Sequence, residues 1–252
     1  MKDLKAHPRS PIFHKTPSPY GIPYGSLRAG DVDNLLLAGR CHSATHMAHS
    51  STRVMGTCMS MGQAAGTAAA LACRLGVDPA GVRDHIRELQ QMLLQDDGYL
   101  PGVPLEVPAA TRTAGLEARG GDAEPIRDGW GRQIGDEAHG WEHAPGDWVA
   151  LWFDRPRRVR EATLILDSAM EREITMTLLN PRHDPWELPP VQPRAFRVEG
   201  RVGEAWQPLH AETDNHRRHV RVAIDRDVQG LRYVLDATRG APQSRLYGFY
   251  VE

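Results

Sequence analysis

The chain has 252 residues, room for one large domain or two ordinary ones, and its 40% hydrophobic and 25% charged residues are typical of globular proteins. Thirty Lys and Arg against 32 Asp and Glu leave a formal net charge of −2, which excludes a general electrostatic attraction to nucleic acid or to an anionic membrane. The three cysteines, Cys41, Cys58 and Cys73, are too few and too clustered for a disulfide framework. No apolar run reaches the roughly 18–20 residues of a membrane span. The opening MKDLKAHPRSPIFHK has basic residues but lacks the roughly 7–15-residue apolar stretch of a signal peptide, so the cytoplasm is the default expectation.

In chain order, the first signal is the short apolar run Asn34–Ala38, bounded by Asp31, Asp33 and Gly39, which predicts a buried parallel strand. A Gly39-Arg40 turn and a Ser/Thr/His stretch follow, and the surroundings of His42, His46 and His49 favour a loop. From about Met55 to Leu75 the abundance of Ala, Met, Gln and Leu predicts a helix. Gly62 and Gly66 share one face of it; a helical Gly costs roughly 1 kcal/mol relative to Ala, so close approach of another group to that face is expected. Gly76 stops this helix. Asp78 as N-cap and Pro79 at the first helical position then open a second helix to about Leu94, with Val82, Ile86, Leu89 and Leu93 on its apolar face.

Composition changes near residue 101. The segment 101–125 is rich in Pro, Gly and Ala and reads as a linker, placing the boundary at about 105, with domains 1–105 and 106–252. Beyond it no convincing helix is expected. Short β-type runs recur at Trp148–Phe153, Ala162–Leu166, Ile174–Leu179, Ala195–Val198, Val220–Ile224, Leu231–Leu235 and Leu246–Val251. In His219–Ile224 the larger apolar residues alternate, as on a half-buried strand. The fold class expected is therefore α+β: a strand–loop–helix plus a second helix, followed by an antiparallel β-sandwich.

The chemistry concentrates in residues 36–70. A helix opening at Gly56-Thr57-Cys58 presents unpaired backbone N–H groups and a partial positive charge, a seat for an anionic or electron-rich oxygen; a plain packing helix is the alternative. The spacing of His42, His46 and His49 would suit a metal only in a helix, and no carboxylate or cysteine completes the set, so no metal is expected. Arg40 and Arg53 can grip a pyrophosphate or pair with a surface carboxylate. Cys41 and Cys58 can be small apolar fillers or, if their Cα atoms lie within roughly 7 Å, a redox pair.

The stretches Ile22–Leu27, Val32–Cys41, Ser43–His46, Ser51–Cys58 and Met61–Ala69 resemble the closing part of FAD-dependent oxidoreductases related to the fumarate reductase and glutathione reductase flavoproteins, over about residues 19–102. The resemblance implies an FAD cofactor. Gly39 and Arg40 would pass its ribityl or pyrophosphate region, and Thr52, Arg53, Val54, Met55, Gly56, Thr57 and Cys58 would present backbone to the flavin ring. Beside such a flavin, His46 has the chemistry to act as a catalytic residue that polarises or protonates a substrate; a loop histidine satisfied by backbone hydrogen bonds is the alternative. The G-x-G-x-x-G turn with which such proteins hold the pyrophosphate is not found in this sequence. The chain is accordingly expected to supply only the flavin-ring side of an FAD site and to be inactive without an N-terminal FAD-binding half, either cut off or carried by a separate polypeptide.

In the second half, Asp128-Gly129-Trp130, Trp141, Gly146–Val149, Arg194–Glu199 and Arg245–Glu252 resemble discoidin-like (galactose-binding-like) jelly rolls. This implies a non-enzymatic alternative, carbohydrate binding, with candidate platforms among Trp130, Trp141, Trp148, Trp152, Trp186 and Trp206. Most of these are expected to be core or loop anchors. Asp128, Asp136 and Glu137 are candidate calcium ligands.

Overall fold

The computed structural model describes residues 18–172 and 187–252. The chain divides into two compact units, residues 1–89 with 99–103 and residues 90–98 with 104–252. The expected strand Ile174–Leu179 and Trp186 lie outside the described residues.

The first unit is helical. A short helix, α1 (His46–Thr52), is capped by Thr45, whose Oγ1 accepts the Ala48 amide at 3.3 Å. This corrects the loop expected there: with no Gly or Pro between 40 and 55, one Ser/Thr cap is enough to start a turn of helix. The main helix, α2 (Met55–Leu75), has the predicted bounds, and Gly76 ends it at φ 67°. Its buried stripe is Met61, Ala65, Ala68, Leu71 and Ala72, at helical spacing. Leu27, Val82 and Leu89 are buried in the same unit. Asp78 caps the second helical segment, accepting the Gly81 amide at 2.7 Å, but the first turn is 3-10 (Gly81–His85) before α3 (Ile86–Gln95).

The run 34–38 is not the buried parallel strand its composition suggested. Leu36 makes one antiparallel bridge to Arg28, and Leu35 is 43% exposed. A parallel strand needs neighbours on both edges for its backbone groups, and Arg28 is the one bridge partner among the described residues of this unit.

The second unit is an antiparallel β-sandwich. The supposed linker contains a five-residue helix, α4 (Ala109–Thr113), and an edge strand, β1 (Gly115–Arg119), whose low apolar content had hidden it. Then come β2 (Trp141–His143), β3 (Trp148–Leu166), β4 (Pro193–Val202), β5 (Ala205–Glu212), β6 (His219–Thr238) and β7 (Ser244–Val251). The runs 148–153 and 162–166 are the two ends of one strand, β3; likewise 220–224 and 231–235 belong to β6.

These two long strands make the jelly roll. The first half of β3 pairs β1 and the second half of β6, which pairs β4 and then β5. The second half of β3 pairs the first half of β6 and β7, which pairs β2. Each long strand changes sheet at a bulge. Pairing jumps from Trp152↔Gly230 to Arg157↔Val228, so 153–156 loop out opposite Gln229, where Pro156 has no N–H to give. Between the layers lie Leu151, Leu164, Phe196, Val222, Leu231, Tyr233, Leu235 and Phe249.

The Asp128-Gly129-Trp130 element is a backbone lock. Gly129 has φ 85°, and its carbonyl accepts the Leu105 amide at 3.0 Å. A Cβ there would sit 2.4 Å from the Leu105 carbonyl oxygen. Gly146, at φ 95°, has open space around it. Gly129→Ala should therefore cost about 3 kcal/mol, roughly 6–12 °C in Tm for a domain of this size. Gly146→Ala should cost only the dihedral preference, about 1 kcal/mol. Differential scanning calorimetry of the pair checks the ordering.

Trp141 is buried, stacked on His143 with ring centroids 4.3 Å apart, and its indole N–H donates to the Gly120 carbonyl. His143 is 1% exposed, and burial pushes its pKa down to about 4. The unfolded chain takes up this proton as pH falls below 6.5, whereas the fold resists until about 4. Stability should thus decline across that window, by about 2–3 kcal/mol from this group. Urea midpoints at pH 7 and pH 4.5 should show a smaller decline in His143→Gln than in the native chain.

Candidate functional sites

In the first unit the structure brings the two predicted backbone segments together. Gly39, at φ 66°, opens a 3-10 turn (Gly39–Cys41), and a Cβ on it would lie 3.6 Å from the Cβ of Cys58 at the start of α2. Arg40 Nε donates to the Arg53 carbonyl at 3.2 Å, and Cys58 Sγ lies 3.8 Å from the Thr52 carbonyl. The turn 39–41 and the junction 52–58 are thus one small cluster.

His42 holds that cluster. It is 7% exposed; its Nδ1 lies 2.7 Å from the Gly39 carbonyl and its Nε2 3.0 Å from Thr52 Oγ1. A carbonyl only accepts, so Nδ1 carries the proton. Thr52, 4% exposed, is also 3.1 Å from the Ala48 carbonyl, so its hydroxyl is engaged within the fold and its contribution to a ligand would be through backbone. The histidine spacing drew attention to this triplet, but it could not show that His42 is the clamp. His49, its ring 5.7 Å from that of His42, has Nε2 buried without a hydrogen-bond partner among the described residues. His46, the first residue of α1, is exposed. Among the described residues no group of three His, Cys, Asp or Glu is placed to hold a metal ion.

The opening of α2 has no side-chain cap. Its N-cap is Val54, which offers no side-chain acceptor to the first amides. Met55 is 75% exposed, and Gly56 has open space where a Cβ would be. The apolar residues next to it in sequence are exposed as well, Val54 at 55% and Met59 at 75%.

The second unit has a cavity of about 110 Å³ lined by Arg132, Gln133, Met170, Glu171, Arg218 and Tyr247. Arg218 organises it: Nε pairs with Asp97 at 2.8 Å, Nη1 donates to the Leu166 carbonyl at 3.1 Å, Nη2 donates to the Gly131 carbonyl, and the guanidinium lies over the Tyr247 ring. Arg245 Nη1 reaches Tyr247 Oη at 3.1 Å and Glu171 at 2.8 Å, which holds Arg245 charged; burial pushes the Tyr247 phenol up. On the rim, Ala169 sits at φ 50°, unusual for a residue with a Cβ, pinned by its amide to Asp167 Oδ1 at 2.8 Å. Burial raises the pKa of Asp167. None of these residues stood out in the sequence except Arg245 and Tyr247, within the closing strand.

Most of the tryptophans were expected as core or loop anchors, but only Trp141 of the described ones is core; Trp148, Trp152 and Trp206 lie partly exposed on the outer face of the β1–β3–β6–β4–β5 layer. There Arg232 stacks on Trp206 at 4.4 Å, and Trp152 Nε1 donates to Glu117 at 2.7 Å. Asp128 is engaged by His139 at 2.7 Å and by the Trp130 amide at 2.7 Å, while Asp136 and Glu137 are exposed.

Comparison with known proteins matches each unit to a different group. Residues 3–93 match the family described as FAD dependent oxidoreductase, in agreement with the resemblance read from the motifs. No curated protein matches the chain. Among solved structures, chitosan-binding module 1 of a chitosanase/glucanase from Paenibacillus sp. IK-5 is 14% identical, covering 55% of this chain and 94% of that one, with a TM-score of 0.38. The family 32 carbohydrate-binding module of Streptococcus pneumoniae EndoD is 14% identical over 55% of this chain and 96% of that one, TM-score 0.40. The family 32 module of C. perfringens NanJ, solved with galactose, is 9% identical over 57% and 97%, TM-score 0.41.

If His42 is the clamp, His42→Ala should loosen residues 39–58 and leave the β-sandwich untouched. Hydrogen exchange should show protection falling about tenfold in that segment, the equivalent of roughly 1–2 kcal/mol for one lost pair of buried hydrogen bonds. Protection in β3 and β6 should not change.

Proposed function

We propose that the first unit supplies the flavin-ring side of an FAD site in an FAD-dependent oxidoreductase and that another polypeptide segment holds the pyrophosphate. The observation that carries this reading is the opening of α2. A helix start with free amides, an open Gly56 and exposed Val54, Met55 and Met59 is built to be covered. In this reading the amides of Met55, Gly56 and Thr57 face the ring edge that gains negative charge on reduction, and the dipole of the 21-residue helix favours that charge. Gly39 and Arg40 flank the cofactor's chain, and Arg53 and Cys58 complete the wall. Bound flavin would supply hydride or electron-pair transfer, while this chain positions the ring and shields it from water. His46, exposed at the head of α1, is the proton-handling candidate.

The purified chain should carry no flavin absorbance between 350 and 500 nm by itself (roughly the range in which oxidised flavin absorbs), and should gain it only with a segment bearing a G-x-G-x-x-G turn. Stoichiometric flavin in the isolated chain would overturn this reading. Gly56→Val in the assembled protein should weaken FAD retention at least tenfold, read as flavin released on dilution.

A second reading, carbohydrate recognition by the β-sandwich, is favoured by the Arg218–Tyr247 cavity and the strained rim at Ala169. Gln133 and Glu171 would take sugar hydroxyls, and Met170, 51% exposed, the apolar face of the ring. Titration calorimetry with galactose and chitotriose should give saturable heats that weaken at least fivefold in Glu171→Gln. Flat titrations with both sugars would count against it.

A further inference from the structure

The β-sandwich has a larger cavity that neither reading uses. About 370 Å³ in volume, within the range of small-molecule pockets, it is lined by Thr113 of α4 and by Phe153, Asp154, Arg155, Arg157 and Arg158 of the β3 bulge. The bulge creates it: residues 153–156 leave the ladder opposite Gln229, and Pro156 keeps them from rejoining. Three arginines in four positions are thereby carried to the rim of one hollow.

Their charges are not equally committed. Arg158 pairs with Asp225 at 2.9 Å and approaches Asp227 at 3.9 Å. Among the described residues Arg155 and Arg157 have no ion pair, and Arg157 rests over the Phe153 ring at 5.5 Å. Thr113 donates its hydroxyl proton to the Ala109 carbonyl at 2.9 Å, so its oxygen still has room to accept.

We propose that this cavity binds the uronate unit of an acidic glycan. Two free guanidinium forks suit a carboxylate held by paired hydrogen bonds. Phe153, packed on the core and covered by Arg157, fixes that guanidinium at the rim. Asp154 and Thr113 accept hydrogen bonds from ring hydroxyls. The mixture favours a polyhydroxylated carboxylate over a simple anion, because the sugar brings hydroxyl donors for both Asp154 and Thr113 while its carboxylate takes the guanidiniums. The cavity shares no lining residue with the Arg218–Tyr247 cavity, so the inference stands or falls separately from the readings above.

The test is titration calorimetry of the full chain with trigalacturonate, galactotriose, a sulfated galactan oligomer and inorganic phosphate. Trigalacturonate should bind saturably, galactotriose at least tenfold more weakly, and raised salt should weaken the acidic ligand alone. Arg155→Gln/Arg157→Gln should lose at least tenfold in affinity for trigalacturonate with an unchanged thermal midpoint, while Glu171→Gln keeps it. Arg155→Lys/Arg157→Lys, which preserves charge but not the forks, should fall between. Equal binding by the Gln double variant would overturn the proposal. So would phosphate competing as well as the uronate, the sulfated oligomer binding more tightly than trigalacturonate, or galactotriose binding equally.

Discussion

The pairing of β3 with β6 is the constraint on which the β-sandwich depends. Each strand runs long enough to serve both layers, so the core residues of one layer stand on the same backbone as those of the other. Such a strand must bend without losing its partner. The bends sit where pairing can be given up cheaply: at Pro156, which has no amide to leave unsatisfied, and near Asp225, which takes a left-handed φ of 48°. Gly230 supports the first bend from the facing strand, since a Cβ there would lie 2.9 Å from the Leu151 carbonyl oxygen. The cavity with the free arginines is a by-product of that geometry, and so is the spread of Trp148 and Trp152 over the outer face.

The helical unit is held differently. It has one buried stripe, on α2, and few large side chains behind it; four of the stripe's five residues are Ala or Met. A small-residue stripe allows close packing but removes little apolar area from water. Local hydrogen bonds therefore carry much of the order around the cluster. His42 is central, joining the Gly39 turn to the end of α1 within ten residues of sequence.

What could be read from the sequence depends on the range of the forces involved. The bounds of α2 were legible because propensity and a terminal Gly act locally. The seven-residue α1 and the edge strand β1 were not, since one depends on a single cap and the other on Trp148–Trp152 lying beside it. The run 34–38 misled because apolar composition states that a segment is to be buried without stating by what. The joining of four expected strands into two was hidden for the same reason: a bulge looks like a break until the partner strand is seen. At the candidate sites, the backbone segments 39–40 and 52–58 were legible from motif, whereas Arg218 and Glu171 belong to a cavity assembled from distant loops.

The exposed thioethers of Met55 and Met59 bring a chemical vulnerability to the opening of α2. Oxidation of either to the sulfoxide would place a polar, chiral group on an apolar surface. The buried stripe would lose nothing except where Met61 is reached, because its members are shielded. A preparation aged in air would therefore present a more polar opening of α2 while keeping its circular dichroism, and a methionine sulfoxide reductase would restore the apolar surface.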